Sequence, residues 1–75
     1  MTVVYTKDGI KVELERSDAG YPPGSPKGGL NLNTSAIWLR TGREKWQRAT
    51  NTRSTVTIID ILRNNTLEEA LKEIL

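Results

Sequence analysis

The chain has no cysteine, no histidine and no phenylalanine among its 75 residues. Without cysteine there is no disulfide staple and no thiolate nucleophile, and the redox compartment leaves no mark on the sequence. Without histidine, the commonest general base and the commonest metal ligand are both missing. No apolar run approaches the roughly 20 residues of a membrane-spanning helix. The N-terminal MTVVYTKDG lacks the basic-then-apolar order of a secretory signal. The expectation is a soluble, intracellular protein, cytoplasmic if prokaryotic, with no membrane partner.

These absences also narrow the chemistry. A nucleophile would have to be Ser or Thr activated by Lys, and acid–base work would fall to a carboxylate pair. Glu13 and Glu15, two apart on a strand with Asp18 beyond, are the one set of that kind. They read more simply as a solvated strand face balanced by Lys7, Lys11 and Arg16. A non-enzymatic protein is expected, with no metal and no cofactor.

Proline is scarce and confined. All three prolines and three of the six glycines fall within YPPGSPKGG, residues 21–29. Neither strand nor helix survives such a stretch. At 75 residues the chain has room for one domain, so residues 16–29 read as a loop within a single unit rather than a linker. Lys27 among glycines resembles a phosphate cradle, but the order of a P-loop is wrong and no helix follows. Pro23-Gly24-Ser25-Pro26 matches PxxP, a pattern frequent by chance in such loops. Tyr21 and Lys27 are the loop's candidate contact residues, with Tyr21 also placed to pin one end to the core.

What is present begins with TVVYTKDGIKVELE. Asp8-Gly9 between two alternating runs signals a hairpin with a two-residue turn. That register pairs Lys7 with Ile10, Tyr5 with Val12 and Val3 with Leu14. Val3, Tyr5, Ile10, Val12 and Leu14 then share one face, which must pack on something. GLNLN, 29–33, alternates as a short strand. AIWLRTGREKWQRA, 36–49, reads as a second hairpin around Gly42. An odd number of loop residues would put Trp38 and Trp46 on one face, and an even number would split them.

STVTIIDIL, 54–62, is rich in β-branched residues and is expected to be a further strand. Ile58, Ile61 and Leu62 also fit helical spacing, with Thr57 and Asp60 resembling an N-cap pair. TLEEALKEIL carries a capping box, Thr66 with Glu69, and a stripe of Leu67, Ala70, Leu71, Ile74 and Leu75. The expected fold is therefore α+β: a small antiparallel sheet from two hairpins plus a further strand, packed by one C-terminal helix. An exposed edge strand or the helix stripe offers a route to a homodimer.

Net charge is only +2, but it is unevenly placed. Residues 40–53 hold five basic groups against one acidic, whereas 54–75 are net acidic and 1–39 are balanced. Arg40, Arg43, Lys45, Arg48 and Arg53 are interleaved with Trp38 and Trp46. Basic groups neutralise phosphates and aromatic rings stack on bases, so 36–53 is the candidate DNA- or RNA-binding segment. Competing expectations are that at least one tryptophan is buried in the core, and that the same hairpin or the 20–29 loop serves a protein partner, as in an adaptor, inhibitor or assembly subunit.

Overall fold

A two-residue turn sets the first half of the sheet. In the computed structural model, Asp8 and Gly9 both take positive φ, +53° and +78°, the pairing that a type I′ turn requires. Strand β1 (Thr2–Lys7) pairs antiparallel with β2 (Ile10–Asp18) in the expected register, Lys7 opposite Ile10, Tyr5 opposite Val12 and Val3 opposite Leu14. The structure describes residues 2–18, 20–24, 35–50 and 54–75. The alternating stretch 29–33, Lys27 and Arg53 lie outside the described residues.

The second hairpin forms from β3 (Ser35–Thr41) and the short β4 (Gln47–Arg48). Gly42 starts its turn at φ +57°, in the left-handed region that glycine enters without a side-chain penalty. Strand β3 pairs with β2, Leu14 opposite Leu39 and Glu13 opposite Arg40, giving a four-stranded antiparallel sheet in the order β1-β2-β3-β4.

Residues 54–62 correct the expectation of a further strand. Thr55–Asn64 form helix α1. Its cap is Ser54, three residues earlier than the Thr57–Asp60 pair suggested. The Ser54 Oγ accepts from the Thr57 N–H at 3.2 Å. Ile58 and Leu62, four apart, are both fully buried, flanked by half-buried Ile59 and Ile61. Burial of that face outweighs the modest helix penalty of β-branched residues. The C-terminal helix, α2 (Leu67–Ile74), is capped by Thr66 as expected: its hydroxyl accepts from the Glu69 N–H at 3.2 Å and donates to the Glu69 carboxylate at 2.9 Å. The α+β class holds, with two helices instead of one.

Both helices pack on one face of the sheet. Val12, Leu14, Ile37, Leu39 and Ala49 from the sheet side meet Ile58, Leu62, Ala70 and Ile74 in a single core, with Val3, Tyr5, Leu67, Leu71 and Leu75 packed around it. Helix α1 lies against β1 and α2. The end of α2 is tied to the residues after β4, because the Thr50 N–H and hydroxyl both donate to the Ile74 carbonyl at 3.0 Å. The opposite face of the sheet carries no helix among the described residues.

Candidate functional site

Which side chains occupy the helix-free face follows from parity. Leu39 pairs with Gln47 and Trp38 with Arg48, so seven residues separate the last paired positions. That odd number puts Trp38, Arg40, Trp46 and Arg48 on one side. Leu39 is in the core, so this side is the one facing away from the helices. From β1 and β2 the same face receives Thr2, Val4, Thr6, Lys11, Glu13 and Glu15.

The two tryptophans differ. Trp38 is only 8% exposed, so one tryptophan is buried as expected. It does not belong to the core cluster, however, and lies on the other side of the sheet from it. A ring so covered offers a base almost no stacking surface. Trp46, just before β4, is half-buried. The guanidinium of Arg40 sits over its ring at 4.7 Å from the centroid, a cation–π distance.

Arg40 is held from its other side as well. Its Nε and Nη2 donate to Glu13 Oε1 at 3.1 and 2.8 Å. The Glu13 side chain is 12% exposed and that of Arg40 34%. Glu13 is thus not the solvated residue balanced by Lys7, Lys11 and Arg16 that its strand alone suggested. Its main partner comes from the second hairpin, and Lys11 stands at 4.0 Å. The missed signal is a cross-strand pair between β2 and β3, which becomes visible only once their register is known.

Of the other basic candidates, Arg43 and Lys45 lie exposed in the β3–β4 turn and Arg48 is exposed on β4. Neither Arg43 nor Lys45 makes an ion pair among the described residues. Candidate residue Arg53 is not described. Tyr21 is half-buried with Pro22 and Pro23. The face therefore gathers Trp46, Arg40 and Arg48 with Arg43 and Lys45 at its end, while Trp38 on the same face is covered.

No helix among the described residues is long and apolar enough to cross a membrane. No protein-family model, curated protein or solved structure matches the chain.

Proposed function

We propose that the chain binds nucleic acid at the β3–β4 end of its helix-free face. Arg43, Lys45 and Arg48 neutralise phosphates, and Trp46 offers its ring to a base. Arg40 braces that ring and is itself held by Glu13. Trp38, only 8% exposed, is not a contact. The observation that carries this reading is the odd register of the second hairpin, which puts Trp46, Arg40 and Arg48 together on the one face that no described helix covers.

The test is fluorescence anisotropy of a labelled oligonucleotide, single-stranded and duplex, over a series of salt concentrations. Three phosphate contacts give a log–log slope of about −2 to −3. The double variant Arg43→Ala/Lys45→Ala weakens binding to every sequence alike and takes about two from the size of that slope. Absence of binding to either form contradicts the proposal. Binding that ignores salt would do the same and would favour a protein partner anchored by Trp and Arg.

A further inference from the structure

Among the described residues β1 is one edge of the sheet, and its backbone directions are fixed by its neighbours. The Gly42 N–H donates to the Lys11 carbonyl at 2.7 Å, so Lys11 turns its main-chain groups toward the β3 side. In an antiparallel pair the directions alternate. Val3, Tyr5 and Lys7 therefore bond to β2, as the two-residue turn after Lys7 also requires. The N–H and C=O groups of Thr2, Val4 and Thr6 point outward from the sheet.

Among the described residues that edge lacks the usual protections. TVVYTK contains no proline or glycine, and its single charge is at the end. Natural edge strands are normally blunted by prolines, central charges or bulges. Val4 is 53% exposed. The other large apolar side chains exposed among the described residues are Ile10, on the same hairpin, and Val56, on the helix that lies against β1.

We propose that β1 pairs antiparallel with β1 of a second copy, across a two-fold axis at Val4, to make a continuous eight-stranded sheet. The edge is self-complementary about that axis. Val4 falls opposite Val4 of the second copy, and Thr2 opposite its Thr6. All three outward-facing residues thus form hydrogen-bonded pairs, supplying about six main-chain bonds. Val–Val and Thr–Thr are favourable cross-strand pairs. On the helix side Val3 falls opposite Tyr5 of the second copy, which joins the two cores. The two Lys7 residues end up at opposite ends, roughly 20 Å apart along the strands, so like charges do not meet. A peptide of arbitrary sequence has no such matching, which is why a second copy is the occupant.

The experiment combines oligomeric state with amide exchange on the whole chain. Sedimentation or light scattering should show a monomer–dimer equilibrium that shifts with concentration. Val4→Lys sets two ammonium groups face to face and should give a monomer with an unchanged circular dichroism spectrum. Val4→Thr keeps a β-branched residue and should remain dimeric. In hydrogen exchange, the amides of Thr2, Val4 and Thr6 should gain protection as concentration rises, while those of Val3, Tyr5 and Lys7 are protected throughout. A chain that stays monomeric at NMR concentration overturns the proposal, and so does a dimer that survives Val4→Lys. A dimer in which the Thr2, Val4 and Thr6 amides still exchange freely has the wrong interface, whatever its affinity. None of these results depends on nucleic acid, so the two proposals fail separately.

Discussion

Glu13 sets the character of the candidate site at the scale of single residues. It holds Arg40 through two hydrogen bonds to one carboxylate oxygen, and Arg40 in turn lies over Trp46. The carboxylate both orders the site and cancels one of its charges. Glu13→Gln should therefore act in two directions. Losing charge-assisted hydrogen bonds in a largely covered position should lower stability by about 1–2 kcal/mol, read from denaturant unfolding. Freeing the Arg40 charge should make the salt slope of oligonucleotide binding steeper by about one. A variant that loses affinity without a steeper slope would mean that Glu13 serves the fold alone. Residue types and their clustering at 36–53 were legible in the sequence. The partner of Arg40 was not, because the β2–β3 register depends on a connection that leaves no local pattern. Nor was the choice between the two tryptophans: alternation left open whether Trp38 and Trp46 share a side, and it does not say which one is covered.

Elements with a complete local code were legible. The Asp8-Gly9 turn and the alternation around it specified β1 and β2 residue by residue, and the Thr66–Glu69 box with its stripe specified α2. Residues 54–62 carried two codes at once. Val56, Ile58 and Ile59 suit a pleated surface, while Ile58 and Leu62 mark one side of a helix. The deciding feature is tertiary, since both of those residues end fully buried in the core. A cap at Ser54 was available in the sequence, but a serine before a β-branched run signals little by itself. Ser54→Ala removes the acceptor for the Thr57 N–H and should cost about 1 kcal/mol, seen as a fall in Tm of roughly 4–8 °C for a domain of this size. Thr66→Ala should cost a similar amount at α2. If Ser54→Ala left Tm unchanged while Thr66→Ala lowered it, the α1 cap would contribute nothing.

The molecule as a whole is a two-layer arrangement in which the core and the candidate site lie on opposite faces of the sheet. Helices and core occupy one side of the sheet, and the tryptophan–arginine cluster occupies the other. The core is small, so its largest members matter: Leu62→Ala should cost about 2–5 kcal/mol, a large share of the stability available to a chain of this length. The charge asymmetry of the sequence foreshadowed this separation, with basic residues concentrated in the second hairpin and net acidic character in the helical half. Which face the hairpin would present was set by the parity of its turn, the one feature left open by composition. The most direct test of the proposed interface is a titration of the 15N-labelled protein with a short oligonucleotide, followed through amide and indole resonances. Binding at the helix-free face should shift the Trp46 indole and the amides of Arg43, Lys45 and Arg48, leaving α1 and α2 unmoved. No shifts at saturating oligonucleotide, or shifts centred on the helices, would contradict it.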